Sequence, residues 1–358
     1  MSHSKLRFLP PETCMLEELT EYLCGLPRDE LARSLVILPT QRLSTVLLAW
    51  MAQRLVAFEP PTITTMERLL QDEGNKAALE AGHPPLSVAS DLTIDLIISQ
   101  IIRTEAFIHL QQGHARELRL FFSEIADADL NETAFERLTL CMTEDIYKNE
   151  KHLGSLHSRV QEMHQCWKKL NDFLVKLGHS SRPDFLSRAA ASLQKKWETS
   201  ERLPWDHCWL VGFTSTAESW KPLLASMIEK KNVSFWLNQS PLLYHESSPL
   251  QHLSELLAER ADTAVPKTAP VSHKHKPVTI INTPSPWAEV ALALEHIEQW
   301  ISDDCPPSRI GLLVTNEGEY GSIIKCLMEV MQIKGNIALA TPLSKTAGGI
   351  WLQSLIHW

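Results

Sequence analysis

Short apolar runs alternate with helical periodicity along most of this chain. Four runs are nearly unbroken: Leu35-Val36-Ile37-Leu38, Cys208-Trp209-Leu210-Val211, Val233-Ser234-Phe235-Trp236-Leu237 and Ile310-Gly311-Leu312-Leu313-Val314. Val278-Thr279-Ile280-Ile281 is a fifth. Each is short for a helix and shows little of the apolar-polar alternation of a strand with one wet face. The pattern predicts strands buried on both faces. Most are followed by a turn and then a helical pattern, which combines them into βαβ units and parallel sheets.

From about residue 88 to 200 such runs are missing and the pattern is helical throughout. Leu156, Val160, Met163, Trp167, Leu170, Leu174 and Leu177 are spaced by fours and threes. They form one stripe of a long helix, suited to packing in a bundle, and Gly178 fits just past its end. The expected organisation is a first sheet lobe in two pieces, residues 1–87 and 201–265, split by a helical insertion at 88–200. A linker at 266–277, with Pro266, Pro270 and His273-Lys274-His275-Lys276-Pro277, precedes an incomplete second lobe at 278–358. Ser285-Pro286 is a serine cap followed by proline at the first helical position, and Val290, Leu294, Ile297 and Ile301 form the stripe behind it. The last residues, Leu355-Ile356-His357-Trp358, lie within helical texture with no stop signal, so a longer protein is expected.

Composition narrows the class. At 358 residues the chain has room for two or three domains, and 44% hydrophobic with 22% charged residues is an ordinary globular balance. No apolar run approaches the roughly 18 residues needed to span a bilayer. Met1-Ser2-His3-Ser4-Lys5 begins no signal peptide, so a cytoplasmic location is expected. The seven cysteines form no C-x-x-C pair, which favours reduced thiols over a disulfide framework or a zinc site. His273 and His275 have no nearby carboxylate or cysteine and make a weak metal signal, so no metal is expected. The net charge of −9 argues against strong autonomous DNA binding but leaves room for a local basic track. Charge also splits the helical region: residues 91–150 hold 5 basic and 12 acidic residues, residues 151–200 hold 9 and 4. Lys168, Lys169, Lys195 and Lys196 belong to the basic half, as a solvated face or as an edge turned to phosphates.

The chemistry expected of an α/β enzyme is missing. A phosphate-cradling loop needs glycines and a lysine, yet no glycine here is followed by lysine and there is no G-x-G-x-x-G. Gly212-Phe213-Thr214-Ser215-Thr216 sits where a nucleophile elbow would, but the serine falls one place late and Thr216 replaces the closing glycine. No H-E-x-x-H occurs. Neither a catalytic residue nor a cofactor is expected from this chain.

Several segments, in order, resemble superfamily 1 helicases. Val36-Ile37-Leu38-Pro39-Thr40-Gln41-Arg42 is similar to the strand and turn after the first nucleotide-binding helix, a turn that contacts the single-strand backbone in that family. Pro61-Thr62-Ile63-Thr64-Thr65-Met66-Glu67-Arg68 resembles the next segment, a short strand and threonine turn leading into a helix. Trp209-Leu210-Val211-Gly212-Phe213-Thr214-Ser215-Thr216 stands where active members carry the Walker B strand with its two acids; Gly212 and Phe213 replace them. Val233-Ser234-Phe235-Trp236-Leu237-Asn238 looks like the strand after it. Arg309 to Val314 resembles the opening of the second motor domain, and Thr341-Pro342-Leu343 with Thr346-Ala347-Gly348-Gly349 the segment beyond it in AddB/RexB proteins.

The resemblance implies RecA-like lobes with a degenerate nucleotide site, in the amino-terminal part of an inactivated helicase of a DNA-end-processing helicase–nuclease complex. It implies DNA contact through the turn of Thr40, Gln41 and Arg42; Thr64 and Thr65, and Thr214, Ser215 and Thr216, likewise follow strands and precede helices, where unpaired N–H groups and hydroxyls suit phosphate oxygens, and they are expected to extend the track. It also implies an active AddA/RexA-like helicase–nuclease partner. In that family a nuclease domain, with cysteines that can hold an iron–sulfur cluster, follows the second motor domain. From the residues alone two other functions stay open: a structural subunit that docks its motor partner without touching DNA, and an unrelated α/β enzyme. The acidic balance favours the docking subunit; the threonine- and arginine-bearing turns favour DNA guidance.

Overall fold

A computed structural model describes residues 5–10, 13–80, 82, 87–128, 135, 137, 153–239, 248–266, 279–314 and 316–336. Two compact units divide the chain, Met1–Val271 and Ser272–Trp358. The first opens with β1 (Leu6–Leu9), α1 (Met15–Cys24), α2 (Arg28–Ala32), β2 (Ser34–Leu38), α3 (Gln41–Arg54) and β3 (Thr62–Thr65). A helical run follows without a break: α4 (Met66–Leu69), a π-helical turn (Leu70–Gly74) and α5 (Asn75–Glu80). Next come β4 (Ser87–Val88), α6 (Asp91–Glu105), α7 (Ala115–Asp127), α8 (Leu153–Lys176), β5 (His179–Ser180) and α9 (Arg182–Glu198). β6 (His207–Val211), α10 (Lys221–Ile228), β7 (Val233–Asn238) and α11 (Pro249–Ala261) close the unit.

Five strands form one sheet in the order β1-β7-β6-β2-β3, and every neighbouring pair is parallel. The fold is α/β. The period of two along each strand sorts side chains into two cores. Leu35, Ile37, Cys208, Leu210, Phe235 and Leu237 face one side, covered by α9, α10 and α11. Val36, Leu38, Trp209, Val211 and Trp236 face the other, covered by Leu19 and Leu23 of α1, Leu31 of α2, and Leu47 and Met51 of α3. Residues buried on both faces explain why β2, β6 and β7 read as continuous apolar runs.

The helical insertion has its own core. Ile94, Ile98, Ile101 and Ile102 of α6 pack with Leu118, Phe122 and Ile125 of α7 and Val160, Leu170 and Leu174 of α8. The stripe expected on the long helix is thus its packing face, with Met163 and Trp167 partly buried against the same core. The side chain of Leu156 lies outside the described residues, and Leu177 falls beyond the helix, 56% exposed. Gly178 takes a left-handed φ of +69°, the conformation that ends a helix.

Four departures from the sequence pattern have physical reasons. β1 carries an outward Arg7 in a four-residue edge strand, which hides its apolar signature; the guanidinium bonds Glu18 at 3.1 Å and covers the Trp236 ring. The region 88–200 is not strand-free: between the end of α8 and the Ser181 cap of α9, two extended residues of β5 pair with β4, Ser87 beside His179 and Val88 beside Ser180. α9, placed by sequence in the insertion, turns Phe185, Leu186, Ala189, Ala190, Leu193 and Trp197 to the sheet core instead. Periodicity defines an apolar face but not what covers it.

The fourth departure lies in the second unit, where a parallel sheet was expected from residue 278. Its described residues form α12 (Pro286–Ser302) and α13 (Glu317–Val330), packed through Val290, Leu294, Ile324 and Leu327, and no strand. Residues 279–281 and 310–314 join no ladder among the described residues, and Leu313 is 94% exposed. An apolar run is a strand only when a neighbour supplies hydrogen bonds. The Ser285 cap holds as expected, its side chain accepting from the Ala288 N–H at 3.2 Å. Most of the linker at 266–277, Val278, and the segments Thr341–Leu343, Thr346–Gly349 and Leu355–Trp358 lie outside the described residues.

Where α9 crosses the π-helical turn the backbones nearly touch. A Cβ added at Gly74 would run into the Ala189 Cβ and stand 3.0 Å from its Cα. Gly74→Ala is therefore expected to lower stability by about 1–3 kcal/mol despite alanine's better helix propensity. Ala189→Gly in the same molecule should return part of the loss. Thermal unfolding of both variants checks this, and a neutral Gly74→Ala would show the crossing to be looser than described.

Candidate nucleic-acid interface

Parallel strands end on the same side. The turns after β6, β2 and β3, three adjacent strands, therefore share the carboxyl edge of the sheet. In open α/β sheets this edge is where ligands are received. The sequence-selected residues meet there, each in a distinct local state.

After β2, Pro39, Thr40, Gln41 and Arg42 are all exposed. Thr40 is the N-cap of the fourteen-residue α3, but its side chain makes no capping bond. Its hydroxyl and the N–H groups of Gln41 and Arg42 are left to solvent or a ligand, while the Leu43 N–H donates to the Thr40 carbonyl at 3.2 Å. Arg42 makes no ion pair among the described residues. One turn further along α3, Ser44 is buried and its Oγ has no partner among the described residues.

After β3 the picture differs. Thr64 is buried within the strand and its hydroxyl donates to the Thr65 carbonyl at 3.3 Å. Thr65 is half-buried and caps α4, its Oγ1 accepting from the Arg68 N–H at 3.3 Å. Both hydroxyls are engaged inside the protein.

After β6, Gly212 takes φ +81°, a left-handed turn suited to glycine, and its N–H donates to the Trp236 carbonyl at 3.1 Å. Pro39 and Met15 close over it: a Cβ there would lie 3.7 Å from Pro39 Cγ and 3.9 Å from Met15 Cε. Phe213 turns down into the sheet core. Thr214 and Ser215 are exposed, and the Thr216 hydroxyl donates weakly to the Ala217 carbonyl at 3.5 Å. These three residues do not start a helix, as the sequence suggested. A 3-10 turn at Glu218–Trp220 intervenes, and α10 begins only at Lys221, just before Pro222.

At the same edge, Asn238 ends β7 with its side-chain oxygen enclosed and without a hydrogen-bond partner among the described residues. The sequence offered only an asparagine at a strand end as a signal. The first turn of α1 carries Glu17 and Glu18, the opposite sign to a phosphate seat. The basic helical half is partly spent inside the fold: Lys169 pairs with Glu105, and Lys196 with Glu80 at 2.9 Å. Among the described residues no cluster of three or more His, Cys, Asp or Glu could hold a metal, and no helix is long and apolar enough to cross a membrane.

Neither family models nor curated proteins match this sequence.

The two cap threonines make opposite expectations. Thr65→Ala removes a made capping bond and should destabilise by about 1 kcal/mol. Thr40→Ala removes none and should stay within roughly 0.5 kcal/mol of the parent. Chemical denaturation of the two variants reads the difference; equal losses would show that Thr40 caps α3 in solution.

Proposed function

We propose that this chain is a non-hydrolysing, helicase-like module of the AddB/RexB kind, built on RecA-like lobes, that guides a DNA strand in an end-processing helicase–nuclease complex. The observation that carries this is the carboxyl edge of the parallel sheet. It gathers the exposed Thr40-Gln41-Arg42 turn, the Thr65 turn and the exposed Thr214-Ser215 turn on three neighbouring strands. Exposed hydroxyls, the N–H groups of Gln41 and Arg42 at the start of α3 and the permanent charge of Arg42 suit phosphate oxygens. The five-stranded all-parallel α/β sheet is compatible with a RecA-like lobe. With Gly212 and Phe213 where a Walker B pair would stand, and glutamates in the first turn of α1, such a lobe lacks the groups that hold magnesium and phosphates.

Motor activity would come from an AddA/RexA-like partner, with this chain as a passive track. A second reading, a docking subunit that does not touch DNA, is favoured by the net charge of −9 and by the ion-paired lysines.

Two measurements decide between them. A fluorescent single strand at low salt should bind weakly and without sequence preference, because few phosphates are neutralised. Arg42→Ala should weaken that binding and flatten its salt dependence by about one phosphate contact. Absence of binding at low salt would favour the docking subunit, and an unchanged salt slope in the variant would place the track elsewhere, with Lys195 the next residue to replace. Separately, calorimetry with ATP and magnesium should give no heat of binding; turnover abolished by a point substitution in this chain would refute the non-hydrolysing reading.

A further inference from the structure

Three carboxylates from three helices act on one guanidinium where the chain leaves the helical insertion. Arg182, the first residue of α9, gives its Nε–H to Glu67 Oε1 of α4. The Glu67 hydrogen bond, and more weakly the charges of Asp91 of α6 and Asp127 of α7, push the Arg182 guanidinium's pKa up. Arg119 supports this arrangement from α7, donating to Asp91 at 2.9 Å and to Asp95 at 2.8 Å. A cavity of about 170 Å³ beside them is lined by Asp91, Arg119, Trp167, Asn171, Arg182 and Asp184. These side chains already satisfy much of one another, so the cluster reads as a joint rather than a ligand seat.

Its position gives the joint a function. Glu67 lies two residues after Thr65, inside the helical turn that Thr65 caps. The tether runs from Arg182, where α9 leaves the insertion, to the turn at the carboxyl edge of β3. As an isolated pair it would add little stability, with Arg182 57% and Glu67 30% exposed. Its effect is geometric. Burial first, then Glu67, hold the Asp127 carboxyl above the usual carboxylate range, with Arg182 opposing them. Without Arg182, Glu67 and Asp127 would repel each other across the joint.

We infer that Arg182 is the positioning residue of the β3–α4 turn, holding Thr65 in place beside the Thr40–Arg42 turn from the insertion side; its role in DNA guidance rests on the function proposed above. Arg182 touches no strand in this scheme. It sets the spacing between two turns, at the point where α9 leaves the insertion.

The test uses the full 358-residue chain. Amide hydrogen exchange is followed across residues 62–70 and, as an internal control, across α3, and binding of a fluorescent oligothymidine is measured at several salt concentrations. Arg182→Gln should speed exchange in 62–70 while leaving α3 unchanged, and weaken strand binding by about three- to tenfold with the salt slope intact. Asp127→Asn added to Arg182→Gln should restore much of the protection, because it removes the repulsion that Arg182 had screened. A purely structural defect would not respond to that second change. Should Arg182→Gln loosen the whole fold, Arg182→Lys serves instead, with a smaller effect confined to the same segment. Unchanged exchange in 62–70 overturns the inference, and so does a salt slope reduced by about one contact, which would make Arg182 a direct phosphate ligand. If exchange responds as expected but the parent chain binds no strand, the tether stands and the DNA track is what fails.

Discussion

The parallel pairing of all five strands is the constraint from which most of this molecule follows. A parallel neighbour cannot be reached by a tight turn, so each connection returns across a face of the sheet. Both faces are therefore covered by helices, and β2, β6 and β7 must be apolar on both sides. The same pairing puts every strand's carboxyl end on one edge. Turns far apart in sequence, at Thr40, Thr65 and Thr214, share that edge because of strand direction and not because of any attraction among them. The outer strands are kept short: β1 and β3 have four residues each, and β1 carries an arginine.

Much of this was legible in the chain, for identifiable reasons. Runs such as Leu35 to Leu38 announce burial on two faces, and Ser285-Pro286 announces a helix start whatever its tertiary setting. What stayed hidden depends on partners. Ile310 to Val314 has the composition of β2, but composition states a preference for burial and not the presence of a ladder. The apolar face of α9 has the same spacing whether it meets the insertion or the sheet. The candidate edge was legible as turns following strands, whereas the state of each hydroxyl was not. Thr64 and Thr65 are identical in sequence terms, yet consecutive strand residues point to opposite sides, so one is buried and the other caps a helix.

The charge split in the helical region also takes on structural meaning. Among the described residues, part of the basic half is turned inward to carboxylates of neighbouring helices, one of them in the acidic stretch and two before it. Lys169 of α8 meets Glu105 of α6, Lys196 of α9 meets Glu80 of α5, and Arg182 meets Glu67 of α4. Each pair is exposed and weak. They add little beside the apolar cores, which supply most of the stability. The basic half is thereby less available to a polyanion than its count suggests, and exposed Arg42 stands out more clearly.

The two-residue ladder between β4 and β5 bears on how the chain reaches its fold. It holds the entrance and exit of the insertion about one strand spacing, ~5 Å, apart. For β6 to dock on β2, a very long loop must close, and long-range parallel pairing is intrinsically slow. An insertion that condenses first around its own isoleucine-rich core and clips its ends together removes itself from that loop. The searching chain then behaves as if β3 and β6 were joined by a much shorter connection, with a correspondingly smaller entropy of closure.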